Sequence, residues 1–272
     1  MGIRNRLKNR CSLLAVWLLV GICAWYGKNL ASWEGNRLIN HDVVSYYAWL
    51  PAAWIYQDVY FEFVETLPED FGGRIWVHPT PAGYYAPKMT MGLAMLWTPF
   101  FAGAHLVASL GAAPATGYTA PYAFALFLAA LFYLFLGLWF LRKLLLEFFG
   151  DAVTTLVLAM ILLATNLMHY VVSEPGMSHV YSFFLFSLFL RLVHLWWKMP
   201  EWKTSLFLGL TAGMIVLVRP ANIVILPAAL LWGVDSVRLL KERLGNLPGR
   251  WQQISLMAMA ALSVWVPQLL YW

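Results

Sequence analysis

Eight apolar runs, separated by short polar connections, constrain this chain more than any other feature of its sequence. Most of them approach the roughly 20 residues that an α-helix needs to cross a bilayer. Only 11% of the 272 residues are charged, against roughly 25% in ordinary soluble domains. The pattern excludes a soluble enzyme and a disordered chain. Because lipid offers no partner for free backbone groups, we predict an all-α, polytopic helical membrane protein.

The apolar runs define the predicted spans. The first covers residues 11–27 and follows the basic residues Arg4, Arg6, Lys8 and Arg10. We expect an uncleaved helix and not a signal peptide, because Trp25 and Tyr26 occupy the place of a small-residue cleavage site. The later runs lie at 89–110, 119–141, 152–172, 178–197, 204–218, 221–234 and 254–272.

The distribution of Lys and Arg favours about seven spans with a cytoplasmic N-terminus. If residues 89–110 do not cross, 13 of the 18 basic residues lie inside and five outside. If they cross, the same start reverses these counts and violates the positive-inside rule. An outside N-terminus with 89–110 crossing scores equally, but the basic cluster before the first helix argues against it. Eight spans is the alternative.

On this topology residues 28–118 form one long outer loop. Seven of the 13 acidic residues fall within residues 28–88. Within the loop, residues 43–56 are apolar and aromatic but too short to span, and we predict an amphipathic helix lying in the membrane interface. The last helix of the loop, over residues 89–110, is expected to lie in the membrane surface or dip into it.

Two carboxylates stand at outer ends of apolar runs, where charge is expensive unless it is solvated or paired. Asp42 precedes the predicted interfacial helix, where it would serve as an N-cap and also stay ionised as a base. Glu174 lies in the turn between two spans. It either caps the next helix, with Pro175 at its first position, or acts as a second functional carboxylate. His179 follows five residues later.

Two cations fall on the same predicted side. Lys88 follows Tyr84 and Tyr85, which indicates either an interfacial aromatic belt or a phosphate-binding cation with rings that stack on a sugar or isoprenoid. Arg219, with Asn222 three residues on, interrupts an apolar stretch. Snorkelling is one interpretation; we favour anion binding, because a guanidinium matches phosphate in a bidentate way. Two carboxylates and two cations on one face suit a lipid-linked phosphate with a polar head.

At these residues the chain resembles the GT-C glycosyltransferases. Within that group it is similar to the bacterial relatives of the dolichyl-phosphate-mannose–protein mannosyltransferases and to the polyprenyl-phosphate-sugar transferases. The family pattern is a basic N-terminus, one span, a long first outer loop with an acid near its start, and a second outer loop with another acid. Asp42 and Glu174 match the acids, Lys88 precedes the last helix of the loop, and Arg219-Pro220 ends a span.

The resemblance covers residues 1–272 as a single transmembrane glycosyltransferase-like domain, the amino-terminal half of the usual architecture. The chain ends in an apolar run at Trp272 without a polar tail, so we expect a C-terminal truncation. The resemblance implies transfer of a sugar from a polyprenyl-phosphate donor to a lipid, glycan or protein acceptor, with inversion, at the outer face of the bacterial cytoplasmic membrane.

The resemblance also implies the site residues. Asp42 would be the base, Glu174 a second carboxylate orienting acceptor or sugar, and Lys88 and Arg219 the cations on the phosphate. His179 and His78 are weaker candidates. No Asp-x-Asp pair occurs, so no cofactor or metal site is firmly implied, and a divalent metal stays an open alternative.

A different class of function stays open beside the enzyme: a non-catalytic protein that binds, scaffolds or transports lipid-linked glycans. Transporters place charges at the bilayer midplane between broken helices, whereas the charges here are expected at one face, which favours surface chemistry. The formal charge of +5 is interpreted as membrane orientation and not as nucleic-acid binding.

Overall fold

The computed structural model describes residues 9–34, 37–66, 75, 77–81 and 83–272. The basic residues Arg4, Arg6 and Lys8 of the predicted N-terminal cluster lie outside the described residues. The described part of the chain is mostly helical, with one short two-stranded hairpin. This confirms the helical fold class.

The helices and strands follow one another in a simple order. The first part contains α1 (Arg10–Leu30), α2 (His41–Tyr47), α3 (Trp49–Pro51), a π-turn (Ala52–Tyr56), a 3₁₀ turn (Glu62–Thr66), β1 (Val77–Pro79) and β2 (Tyr85–Pro87). The middle contains α4 (Gly92–Val107), its π-helical extension (Ala108–Ala112), α5 (Ala120–Leu145), α6 (Asp151–Leu163), α7 (Leu167–Val172) and α8 (His179–Lys198). The last part contains α9 (Trp202–Val218), a 3₁₀ turn (Pro220–Ile225), α10 (Ala228–Leu231), α11 (Val237–Asn246), a 3₁₀ turn (Pro248–Arg250) and α12 (Trp251–Tyr271).

Five of the described helical segments are long and apolar enough to cross a membrane: Arg10–Leu30, Gly92–Ala112, Ala120–Leu145, His179–Lys198 and Pro248–Tyr271. Asp151–Leu163, Trp202–Val218 and Pro220–Leu231 are apolar but shorter. These helices identify the chain as a membrane protein. The number of seven spans stays a prediction, and the segment expected not to cross has the length of a span.

The chain divides into two compact units. The loop-bearing unit comprises residues 17–135 and 159–181, and the terminal unit comprises residues up to 16, 136–158 and 182–272. Asp42, Lys88 and Glu174 belong to the loop-bearing unit, whereas Arg219 and Asn222 belong to the terminal unit.

An aromatic core holds the loop-bearing unit together. Tyr47 is fully buried, with its ring centroid 5.9 Å from that of Phe101 and 6.4 Å from that of Trp97. Its hydroxyl donates a hydrogen bond to the carbonyl of Gly117. Trp97 in turn lies edge-on to Tyr181, at 5.6 Å between centroids. These contacts fix α2 against α4 and against the start of α8.

The expected interfacial helix over residues 43–56 differs from the prediction in its surroundings. The segment is helical, but every residue from 43 to 52 is buried, so this stretch has no polar face in water or lipid. A helix that is apolar on all sides is stabilised by protein packing. The aromatic composition that suggested an interface therefore marks a core element here.

Glycines set the packing of α9 on α12 in the terminal unit. A Cβ on Gly209 would lie 2.3 Å from the carbonyl oxygen of Met257, and one on Gly213 would lie 2.5 Å from that of Ala261. Their four-residue spacing puts both on one helix face. The two backbones approach closely because neither position has a side chain, as in small-residue helix contacts within membranes.

The basic connections gather at one end of the terminal unit. Arg142 at the end of α5 donates to the carbonyl of Asn9 and to the hydroxyl of Ser12. Glu147 accepts hydrogen bonds from Arg191 and Lys198, both at 2.8 Å. These hydrogen bonds lower the pKa of Glu147 to about 2. The preferred topology groups the same connections on the cytoplasmic side.

Candidate functional site

Asp42 and Glu174, the two carboxylates singled out by the sequence, line the same groove of the loop-bearing unit. Its volume is about 200 Å³, below the roughly 300–1,000 Å³ of pockets that enclose drug-sized ligands. Such a groove suits one small polar group, such as a sugar ring or a phosphate. Its lining residues are Arg37, Leu38, Asn40, His41, Asp42, Val43, Ser173, Glu174 and Met177.

The sequence had suggested that Asp42 is the N-cap of α2. In the structure Asp42 lies in the first turn of this helix. The N-cap is Asn40, in an extended conformation, and His41 follows with φ of 50°. A left-handed φ is uncommon for a residue other than glycine, and such strain often occurs at functional sites. The sharp turn at the start of α2 places His41 and Asp42 in the lining of the groove.

Lys88 is positioned by the hairpin. Strands β1 and β2 pair antiparallel, with His78 opposite Ala86, and Lys88 directly follows β2. Its Nζ lies 3.7 Å from Oδ1 of Asp42, and the two side chains are 58% and 39% exposed. This distance exceeds that of a hydrogen bond, so the ammonium keeps donors for a ligand. An exposed ion pair contributes at most about 1 kcal/mol to stability, so folding does not require it.

Glu174 lies in a turn that packs on α2. The amide of Met177 donates to the Glu174 carbonyl at 3.0 Å, which confirms the predicted tight turn. One of the two interpretations of Glu174, in which it caps the next helix with Pro175 at the first position, is wrong, because α8 begins only at His179. The turn is held by its neighbours instead, since the Tyr181 hydroxyl donates to the Pro175 carbonyl at 2.8 Å.

Gly176 brings the turn close to Asp42. A Cβ at this position would lie 2.3 Å from Cγ1 of Val43, the residue next to Asp42. Only glycine permits this approach without a shift of the neighbour. The glycine therefore determines how near Glu174 lies to the start of α2.

His169 is a partner of Glu174 that the sequence analysis did not single out. Its Nε2 lies 3.8 Å from Oε1 of Glu174, and both side chains are about half exposed. The available signal was the spacing, since His169 stands one helical turn before Ser173-Glu174. Arg37 and His41 were also missed. Both precede Asp42 by five residues or fewer, but nothing in the local sequence indicates that they line the same groove.

A second, mainly apolar groove adjoins the first. Its volume is about 440 Å³, and Ser173 lines both grooves. Its apolar lining comes from the end of α1 and from α7, with His169 at its polar edge. The lining residues are Tyr26, Asn29, Leu30, Met168, His169, Val172 and Ser173.

The other predicted site residues of this unit do not line the groove, and three of them contact other side chains. Tyr84 stacks on Tyr60 at 4.2 Å, and the Tyr85 hydroxyl donates to Glu65 at 3.0 Å, which raises the pKa of Tyr85. The ring of His179 stacks on Tyr170 at 3.6 Å. His78, a weaker candidate, is exposed on β1.

Arg219 and Asn222 lie at the break between α9 and the following 3₁₀ turn, as the sequence predicted. Arg219 is exposed and adopts an extended conformation. The Asn222 side chain donates to the Ser182 hydroxyl at 3.0 Å and to the Ile215 carbonyl at 3.4 Å. These bonds give Asn222 a structural role in closing the end of α9.

No metal centre is assigned. Within the described ranges, no group of three or more His, Cys, Asp and Glu side chains is arranged to hold an ion. A larger cavity of about 710 Å³ lies between the starts of α9 and α12, but Glu201 is the one carboxylate in its lining. The smaller groove with two carboxylates is therefore the candidate site.

The chain matches no protein-family model, no curated protein and no solved structure.

Proposed function

We propose that the protein is a membrane glycosyltransferase that moves a sugar from a polyprenyl-phosphate donor to an acceptor on the outer face of a bacterial cytoplasmic membrane. The observation that carries the proposal is the groove shared by Asp42 and Glu174. The two residues come from distant parts of the chain. The contacts of Asp42 with Lys88 and of Glu174 with His169 join side chains that are 39–58% exposed, and exposed pairs of this kind contribute at most about 1 kcal/mol to stability.

The two adjoining grooves fit the two parts of such a donor. The polar groove would take the sugar ring, and the phosphate would lie at its rim, beside Lys88. The apolar groove of about 440 Å³ would take the first isoprenoid units. Apolar pockets with a few convergent polar groups are typical ligand sites. Exposed tyrosines near the hairpin, Tyr84 among them, would extend this surface toward the acceptor.

The reaction is a direct displacement at the anomeric carbon. The acceptor O–H gives its proton to Asp42 while its oxygen bonds to the carbon. The bond from that carbon to the phosphate oxygen breaks, and its electron pair leaves with the polyprenyl phosphate. Lys88 would stabilise the charge that develops on the phosphate. Glu174, held by His169, would orient the acceptor or the sugar.

The sequence prediction that Arg219 binds a phosphate is kept as a proposal for the terminal unit, because a guanidinium can donate two hydrogen bonds to one phosphate. It is exposed at the end of α9 and lies outside the ion pairs of the described residues. Its role rests on the sequence and on this free guanidinium.

The test is mass spectrometry of lipid-linked sugars in a strain that lacks the gene and carries each variant in the full-length protein. Loss of the gene should cause the polyprenyl-phosphate sugar to accumulate. Asp42→Asn should fail to restore its consumption, because loss of a general base typically costs 10²–10⁴-fold in rate. Glu174→Gln should lower transfer by a smaller factor. Lys88→Gln should weaken donor use.

Glu62→Gln is the matched control, since Glu62 is an exposed acid of the same unit that does not line the groove. It should restore transfer fully. Wild-type transfer by Asp42→Asn, at equal expression, would remove Asp42 from the mechanism. Binding of the donor by the purified wild-type protein without any transfer would favour the non-catalytic alternative.

A further inference from the structure

Two arginines of the terminal unit stand over a pair of tryptophans at the end of α8. The guanidinium carbon of Arg243 lies 4.1 Å from the ring centroid of Trp197. That of Arg250 lies 5.0 Å from Trp196 and 5.1 Å from Trp197. These distances are within the range of cation–π attraction. We call these four residues the arginine–indole cluster.

Hydrogen bonds hold both indole rings of the cluster in place. The Trp197 ring nitrogen donates to the carbonyl of Ala229 at 2.7 Å. The Trp196 ring nitrogen donates to the hydroxyl of Ser205 at 3.0 Å. Both arginines are thereby held on defined ring faces, at the junction between α8 and the segment that follows α10.

The positive charge of the cluster has no counterion among the residues that the structure describes. None of the ion pairs in the described part of the chain includes Arg243 or Arg250. Arg243 donates to the carbonyl of Leu230 at 3.0 Å, and Nη1 of Arg250 is buried without a hydrogen-bond partner among the described residues. Burial and the neighbouring charge of Arg250 both lower the pKa of Arg243. A bound anion would stabilise these two adjacent guanidiniums, because it would neutralise their charge and accept a hydrogen bond from Nη1 of Arg250.

Apolar side chains on α11 and at Trp251 indicate that the anion belongs to a lipid. In α11, Val237, Leu240 and Leu244 share one helix face, and Val237 is 71% exposed. Trp251, next to Arg250, is 63% exposed. Tryptophan and basic amphipathic helices are typical of the headgroup layer of a membrane. A free phosphate ion has no apolar part that could pack on these side chains, whereas a phospholipid has acyl chains.

We propose that the arginine–indole cluster binds the phosphate of an anionic phospholipid headgroup, with α11 lying in the headgroup layer. The guanidiniums would donate to the phosphate oxygens, and Leu244 and Trp251 would contact the upper part of the acyl chains. The cluster lies at the end of the terminal unit that gathers the basic connections. This site is independent of the proposed sugar transfer.

The experiment measures how many phosphatidylglycerol and phosphatidylcholine molecules the purified full chain retains, by native mass spectrometry from detergent micelles. The wild-type protein should prefer phosphatidylglycerol. The double variant Arg243→Gln with Arg250→Gln should bind it at least about tenfold more weakly, because a hydrogen bond to a charged group typically contributes that much or more. Millimolar inorganic phosphate should not displace the lipid.

The matched control is Arg238→Gln with Lys241→Gln, which removes the same charge from exposed positions of α11. It should leave the preference almost unchanged. An equal loss in both double variants, no preference in the wild-type protein, or full displacement by inorganic phosphate would overturn the proposal. Should the glutamine variant fail to fold, Arg243→Lys with Arg250→Lys keeps the charge and removes the planar fork. Unchanged affinity in that variant would also overturn it.

Discussion

At the residue scale, the sequence selected the two acids that line one groove and also Lys88, the partner of Asp42, but it did not select His169 or Arg37. Asp42 and Glu174 stood out because charge at the end of an apolar run is costly. His169 and Arg37 gave no such signal, since a His within a helix and an Arg in a loop are ordinary. Their relation to the groove depends on packing between segments far apart in the chain.

Substitution of Gly176 tests the packing between the Glu174 turn and α2. In Gly176→Ala the new Cβ would collide with Val43, which is buried and stiff because it is β-branched. We expect a loss of about 1–3 kcal/mol in the free energy of unfolding, typical of overpacking. Lower sugar transfer should accompany it, because the turn that carries Glu174 must move. Thermal unfolding in detergent and the complementation assay measure the two effects.

Two variants separate this effect from a general intolerance of alanine. Gly103→Ala adds a Cβ in α4 of the same unit with no atom within 4 Å, so it should leave both readouts unchanged. Val43→Ala combined with Gly176→Ala should recover part of the loss. If Gly176→Ala unfolds at the wild-type temperature, the contact does not position Glu174.

At the scale of elements, hydropathy predicts where most helices lie and only some of the places where they break. The break at Arg219-Pro220 was expected, because Arg219 interrupts an apolar stretch. The run over residues 152–172 was predicted as one helix, yet α6 ends at Leu163 and α7 begins at Leu167. Thr165 explains the break, since its hydroxyl donates to the Ile161 carbonyl and accepts from the Leu167 amide. Such local side-chain bonds compete with the helix.

The contact between α9 and α12 depends on glycine, and this gives a prediction for the element pair. Gly213→Leu places a side chain where the backbone of Ala261 lies. The helices must separate, which also breaks the hydrogen bond from the Trp265 ring nitrogen to the Gly213 carbonyl at 3.2 Å. We expect a loss of about 3 kcal/mol, at the upper end for overpacking, as a lower thermal unfolding midpoint in micelles.

Gly21→Leu is the comparison for this prediction. Gly21 lies within α1, and a Cβ there meets no atom within 4 Å. A leucine on this apolar helix should not lower the midpoint. Equal midpoints for Gly21→Leu and Gly213→Leu would mean that α9 and α12 do not depend on their close approach.

At the scale of the whole molecule, composition was enough for the class of protein but not for the path of the chain. The apolar helices follow from the 61% hydrophobic content. The side of each connection does not follow, because two arrangements satisfy the positive-inside rule equally.

The structure adds that the 41–56 segment runs along α4: the Trp49 ring nitrogen donates to the Met89 carbonyl, and the Tyr56 hydroxyl donates to the Thr116 carbonyl. These bonds join the 41–56 segment to residues just before α4 and just after its π-helical extension.

Labelling of single cysteines decides among the arrangements. Cys11 and Cys23 are free, so Cys11→Ser with Cys23→Ala gives a background without thiols, into which Pro81→Cys, Thr116→Cys and Gly150→Cys are introduced one at a time. All three positions are exposed. A membrane-impermeant maleimide added to intact spheroplasts should label positions 81 and 116, and position 150 only after permeabilisation. Labelling of 81 and 150 but not 116 would mean that α4 crosses from an inside N-terminus. Labelling of 116 alone would mean an outside N-terminus and would put Asp42 on the cytoplasmic side, which would contradict a site on the outer face.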